Sequence, residues 1–256
     1  MATFSLARRL RAGETVYCGW SALGAPIIAE TLAREGFSAV AIDMQHGMWD
    51  FAGAVTGIGA INGVGAAPIV RTPYHDWATV SRALDMGAEG IVAPLINTVE
   101  DARQFVAAAK FPPVGERSWG PNRAMALGQF PDMKSYLRDA NDMTVTIAMI
   151  ETREALGNVD AIAAVKGIDV LFVGPSDLSI TMSSGAVLDP HSREVEAELD
   201  KIVAAAKKAG KVAGLYCSTA ARAVAMAKRG FGYLAVGSDL GLFREGIAAH
   251  MKLIKG

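Results

Sequence analysis

Two apolar runs that each end on a carboxylate constrain this chain more than any other feature. Thr-Val-Thr-Ile-Ala-Met-Ile-Glu, residues 144–151, and Val-Leu-Phe-Val-Gly-Pro-Ser-Asp, residues 170–177, flank an Ala-rich stretch at 152–166 that reads as a helix. A crossover of ten or more residues makes the two strands parallel. Glu151 and Asp177 therefore leave the same edge of one sheet. In α/β folds that edge is where ligands bind, and two converging carboxylates there suit a hard divalent cation. The competing reading is that both acids cap the helices that follow. Against it, Glu is a poor N-cap, and the adjacent Gly174-Pro175 lets a ligand approach the backbone closely.

The same unit recurs along the chain. Short apolar runs at 16–20, 37–43, 67–70, 90–96, 212–217 and 233–237 join the opening pair, with helical spacing at 26–34, 75–86, 98–110 and 192–209. Eight short strands, each apolar enough to be covered on both faces, predict a (β/α)8 TIM barrel. At 256 residues the chain has the length of one such barrel, so residues 1–256 read as a single domain. One loop-rich insert at 111–125, with Pro112, Pro113, Gly115, Gly120 and Pro121, interrupts the repeat; such excursions are usually functional loops or interfaces.

Charge and composition narrow the partners. Lys plus Arg is 25 against Asp plus Glu 26, a net charge of -1, so no basic footprint points to nucleic acid or to an anionic membrane. Cys18 and Cys217 sit in apolar runs and read as buried thiols in a reducing cytoplasm. The N-terminus lacks the apolar core of a signal peptide and alternates Leu with Arg like a short amphipathic helix. Residues 51–70 are uncharged and long enough to span a bilayer, but glycines, Asn62 and Pro68 break them into a small-residue helix and a strand. The Gly57-x-Gly59 pair there precedes a strand, whereas a dinucleotide fingerprint follows one.

In a barrel, side chains at the C-terminal strand ends converge on one mouth. They are Trp20, Asp43, Gln45, His46, Arg71, Glu151, Ser176, Asp177, Tyr216 and Ser238 or Asp239. This set holds a cation, a base and two metal-type carboxylates. Lysines fall instead on helices or on the opposite face, so none is placed for a Schiff base. Carbonyl chemistry at this mouth would use a metal as its electrophile.

Ile-Asp-Met-Gln-His-Gly at 42–47, Val70-Arg71, Ala93-Pro94, Met-Ile-Glu-Thr-Arg-Glu-Ala at 149–155 and Phe-Val-Gly-Pro-Ser-Asp-Leu-Ser at 172–179 together resemble the HpcH/HpaI aldolase/citrate lyase family, and within it the class II pyruvate aldolases. The resemblance implies a metal-dependent aldolase, using Mg²⁺, Mn²⁺ or Co²⁺, that splits 4-hydroxy-2-oxo acids into pyruvate and an aldehyde. It assigns Glu151 and Asp177 to the metal, Arg71 to pyruvate, and His46 with Asp43 to proton transfer, with Asp85 as a second supporting acid. Ser176 stands where a small residue offers its backbone N–H to the pyruvate carboxylate, Gly174 and Pro175 line the substrate beside it, and Trp20, Gln45 and Tyr216 complete the substrate pocket. Gln45 departs from the Glu that many members carry before the histidine.

The resemblance also implies a hexamer, a trimer of dimers with the C-terminal helix exchanged between subunits; Leu240, Phe243, Ile247, Met251 and Ile254 form a fitting apolar stripe. Arg117, Trp119 and Arg123 of the insert are expected near the mouth and the subunit interface. Three other readings compete: a CoA-ester lyase of the citrate lyase β-subunit type, a barrel holding phosphate at Gly237 and Ser238, and a non-catalytic metal-binding barrel.

Overall fold

A computed structural model describes residues 4–256; Met1, Ala2 and Thr3, the start of the expected N-terminal helix, lie outside it. Eight parallel strands close into a barrel in chain order: β1 Val16–Ser21, β2 Ala39–Asp43, β3 Ala67–Arg71, β4 Gly90–Ala93, β5 Val145–Ile150, β6 Val170–Val173, β7 Val212–Cys217 and β8 Tyr233–Val236. Nearly every strand residue is buried, because side chains pointing inward fill the barrel and those pointing outward meet the helices. The interior cluster runs from Leu6 and Val16 through Ile69, Val92 and Ile147 to Trp20, Met149 and Phe172.

The helices are α1 Leu6–Arg11, α2 Pro26–Arg34, α3 Phe51–Gly63, α4 Trp77–Asp85, α5 Val99–Ala109, α6 Asn122–Leu127, α7 Met133–Met143, α8 Arg153–Gly157, α9 Val159–Ala163, α10 Pro175–Met182, α11 Arg193–Lys208, α12 Ala220–Lys228 and α13 Asp239–Lys255. Side chains of Asp50, Asp76, Thr98, Thr152, Ser192, Thr219 and Ser238 accept from first-turn N–H groups and so fix where α3, α4, α5, α8, α11, α12 and α13 begin. The helix expected over 152–166 is in fact two short ones, α8 and α9, interrupted at Asn158, whose amide donates to Asn97 O at 2.9 Å.

The end opposite the mouth is closed by α1. Glu89, just before β4, accepts from the N–H groups of Ser5 and Leu6 at 2.7 and 2.8 Å and holds that helix across the barrel floor. The insert also packs at this end, because α5 runs away from the mouth and β5 starts again from the floor. Arg117 pairs with Asp85 at 2.6 Å, and Trp119 and Phe111 pack on Tyr136. Arg117, Trp119 and Arg123 thus do not border the mouth of their own chain, contrary to expectation. Lys110 is buried on the same floor, bonded to Asn141 O, Thr144 O and Asp169.

Among the described residues, no helix is long and apolar enough to cross a membrane. α13 stands apart from the rest: only Asp239 in it is buried, and Phe243, Ile247, Leu253 and Ile254 face outward.

Candidate active site

The strand register brings Asp43 directly opposite Arg71 at the ends of β2 and β3. Arg71 donates to both Asp43 oxygens, Nε to Oδ1 at 2.9 Å and Nη2 to Oδ2 at 2.6 Å, and the pair is buried. Trp20 Nε1 adds a donor at 3.1 Å. Burial opposes ionisation of Asp43, but these hydrogen bonds and the Arg71 charge outweigh it and hold the carboxyl below its ordinary value. Arg71 lies 5.0 Å over the Trp20 ring, and its Nη1 has no hydrogen-bond partner among the described residues.

Asp43 is expected to orient and assist His46, but among the described residues it makes no bond to the imidazole. Its Oδ1 accepts instead from the backbone N–H groups of Gln45 and His46, at 3.0 and 3.1 Å, so it folds the loop that carries the histidine. His46 is exposed and lines the mouth cavity. Gln45 does not line it; its side-chain oxygen is buried without a partner among the described residues. Asp85 is likewise absent from the mouth, because it ends α4 on the floor, where Arg117 neutralises it.

Glu151 follows β5 and is 2 % exposed. Its Oε1 accepts from Leu95 N–H at 2.8 Å, an amide presented by a positive φ of 53° that a leucine adopts only under constraint. Burial, with the Asp177 charge adding to it against the opposing pull of Leu95 N–H and Arg71, pushes the Glu151 carboxyl up to about 7. A Cβ on Gly174 would collide with Glu151 Oε2, so the glycine clears the space this carboxylate occupies. Asp177 is exposed in the first turn of α10, beyond Gly174 and Pro175. Neither acid is a cap: Thr152 caps α8, and α10 begins with no side-chain cap. The first-turn N–H groups of α10 at Ser176 and Asp177 are therefore left for an anion.

These groups surround one cavity of about 310 Å³. Its apolar wall is Trp20 stacked on Phe172, ring centroids 6.1 Å apart, with Tyr216 edge-on to Trp20 at 5.7 Å and Met149 beside them. Burial raises the Tyr216 hydroxyl above its ordinary range while Ser238 bonds it. No lysine lines the cavity among the described residues. Met149 and Phe172 escaped the sequence reading, although each lies two residues before Glu151 and Gly174 and so points the same way.

At the end of β8, Asp239 is buried rather than free: it accepts from Ser21 Oγ, the N–H groups of Ala22 and Leu23, and its neighbour Leu240. Ser238 Oγ caps Gly241 N–H. Gly237 N–H is already bonded to Cys217 O at 2.8 Å, and the buried Asp239 carboxylate beside it would repel a second anion, which argues against the phosphate-barrel reading.

The residues fit a divalent cation. A buried carboxylate beside a second carboxylate, whose cationic influence among the described residues is Arg71, already paired to Asp43, is short of positive charge. Glu151 and Asp177 are hard oxygen donors, and a cation between them would stabilise both in the ionised form.

A closed parallel barrel with paired acids, an arginine and a histidine at its C-terminal mouth defines a (β/α)8-barrel enzyme. The chain belongs to the HpcH/HpaI aldolase/citrate lyase family, whose model matches residues 17–246. It is 37 % identical, over 90 % of both chains, to a hydroxypyruvate/pyruvate aldolase of Rhizorhabdus wittichii, and 39 % identical to a 4-hydroxy-2-oxovalerate aldolase of Novosphingobium aromaticivorans, over 78 % of this chain and 77 % of the relative. A family protein from Burkholderia cenocepacia superposes with a TM-score of 0.89 at 32 % identity, covering 99 % of this chain and all of the other.

Proposed function

We propose that this protein is a divalent-metal-dependent aldolase that reversibly cleaves 4-hydroxy-2-oxo acids into pyruvate, or hydroxypyruvate, and an aldehyde. The observation that carries the reading is Glu151: a buried carboxylate short of a cation, in the same mouth as an arginine and a histidine. The names of the aldolase relatives support the donor class.

A Mg²⁺, Mn²⁺ or Co²⁺ ion held by Glu151 and Asp177 would supply Lewis-acid stabilisation of negative charge on the 2-oxo oxygen. The N–H groups of Ser176 and Asp177 bind the substrate carboxylate at the uncapped start of α10. Arg71 turns its free Nη1 toward the oxygen that gains charge, while Asp43 fixes the guanidinium plane. His46 removes the C4 hydroxyl proton as the C3–C4 bond breaks, and C3 of the resulting enolate takes a proton back to give pyruvate; both transfers reverse in the synthetic direction. Trp20, Phe172 and Tyr216 keep water from the carbanionic carbon.

The protein works as a homo-oligomer in the cytoplasm. The outward apolar side of α13 supports a hexameric trimer of dimers in which that helix packs on a neighbouring copy. The free, buried Cys18 and Cys217 suit a reducing compartment.

The test is pyruvate release from 4-hydroxy-2-oxo acids of varied chain length, before and after chelation with EDTA and after metal replacement. Activity should vanish with the metal and return with it, and should be lost in Glu151→Gln combined with Asp177→Asn. Release that survives either treatment would overturn the proposal.

A further inference from the structure

Asp239 is built into the mouth without touching the cavity. The residue is 4 % exposed, and its carboxylate gathers donors from three consecutive residues at the end of β1 and just beyond it: Ser21 Oγ at 3.0 Å, Ala22 N–H at 2.9 Å and Leu23 N–H at 3.0 Å. It also accepts from Leu240 N–H at 2.7 Å, inside the first turn of α13. No cation pairs with it among the described residues, so these four donors are what stabilise the buried charge.

The segment it clamps is the seat of the loop that carries His46. Ala22 O accepts from Met48 N–H at 2.7 Å, and Ser21 O accepts from Trp49 Nε1 at 2.9 Å. Gly47 lies so close that an added Cβ would meet Ala22 Cα and O at 3.1 Å. The loop from Asp43 to Trp49 is thus held at two places, by Asp43 at its start and by residues 21 and 22 at its end. The imidazole between them has no hydrogen-bond partner among the described residues, so its place in the mouth depends on the backbone beneath it. Glu151, after β5, and Asp177, in α10, lie outside this chain of contacts, and Arg71 meets it only through Asp43, at the other end of the loop.

We propose that Asp239 is a positioning residue for His46: by clamping residues 21–23 it fixes the loop bearing the base and ties that loop to the first turn of the C-terminal helix. The inference rests on His46 as the base of the proposed aldolase. A misplacement on the order of 1 Å in a group that moves a proton costs about 100-fold in rate. Binding of the 2-oxo acid, which uses other strands, should hardly change.

The experiment is Asp239→Asn in the metal-loaded enzyme, with an amide in place of the carboxylate that those N–H groups face. The expected result is a fall in kcat of about 10- to 100-fold with KM for the 2-oxo acid within about twofold. In a His46→Asn background the same substitution should change the residual rate little, because the base it positions is already gone. The His46 ring signals in NMR, assigned by their loss in His46→Asn, should move in Asp239→Asn, whatever reaction the enzyme performs. If Asp239→Asn does not accumulate as folded protein, Ser21→Ala removes a single donor and should give the same pattern with a smaller fall. Unchanged kcat and unmoved His46 signals would overturn the inference, as would equal losses in both backgrounds. Full activity of His46→Asn would instead overturn the base assignment.

Discussion

Gly174 and Glu151 compete for one volume: a Cβ on Gly174 would overlap Glu151 Oε2. The glycine is not required by its backbone, whose φ of -94° any residue adopts. It is required by space, which makes Gly174→Ala a selective test of the carboxylate. The substitution should leave the barrel folded by circular dichroism, weaken metal binding about 10- to 100-fold, and lower kcat/KM by at least as much. A variant that binds metal as tightly as the parent would show that Glu151 is not a ligand.

Arg71 and Asp43 make a second test, because each leaves the other stranded. Removing one member of a buried, hydrogen-bonded ion pair costs about 3–5 kcal/mol. Arg71→Ala should therefore lose stability on that scale in urea, and lose activity beyond detection. Arg71→Lys keeps the charge but not the two-pronged geometry, so it should recover most of the stability and little of the activity. Equal recovery of both would mean that the guanidinium is structural alone. Asp43 adds a pH signature: its lowered carboxyl contributes stability above the ordinary carboxylate range, lost as pH falls through its folded value.

Glu89 gives the opposite slope. Burial raises its carboxyl from 4.5 to about 7, against the pull of the Leu6 and Ser5 amides and Arg9. Between those values the folded protein binds a proton that the unfolded chain releases, so stability falls as pH rises through that window. A shift of this size corresponds to about 3 kcal/mol. Glu89→Gln, which keeps an acceptor for Ser5 and Leu6, should flatten the decline between pH 5 and 8 in chemical denaturation of metal-free protein. Glu151 contributes a decline of the same sign, which added divalent metal should reverse by binding the ionised form. Parallel curves for parent and Glu89→Gln would refute the assignment.

Much of this was legible in the chain because strand ends are. The apolar runs ending at Asp43, Arg71 and Glu151 put those residues at one mouth, as the barrel requires. What failed was the reach of individual side chains. Asp43 lies three residues before His46 and is expected to assist it in proton transfer, yet it bonds the loop backbone and Arg71. Asp85 was placed by likeness alone, although a residue ending the helix after β3 has travelled back to the floor. The insert failed for the same reason: a segment between the end of α5 and the start of β5 begins and ends on the floor. Asp239 was one of two candidates at the end of β8; its four donors come from backbone and Ser21, partners that no spacing rule announces.

α13 supplies the last prediction. Seventeen residues long, it buries only Asp239 in its own chain, and Phe243 and Leu253 are 63 % and 83 % exposed. An apolar face of this kind on a helix joined to the body through its first turn is covered when copies associate. The protein should sediment as an oligomer of defined size, and Phe243→Glu combined with Ile247→Glu should shift it to smaller species. Neither side chain lines the cavity, so a loss of activity should come through association. If the clamp at Asp239 passes the seating of α13 to residues 21–23, dissociation should lower kcat more than it changes KM, and raising protein concentration should restore part of it. A parent chain that sediments as a monomer at micromolar concentration would exclude the assembly, and a dissociated variant with full kcat would show that the mouth is organised without it.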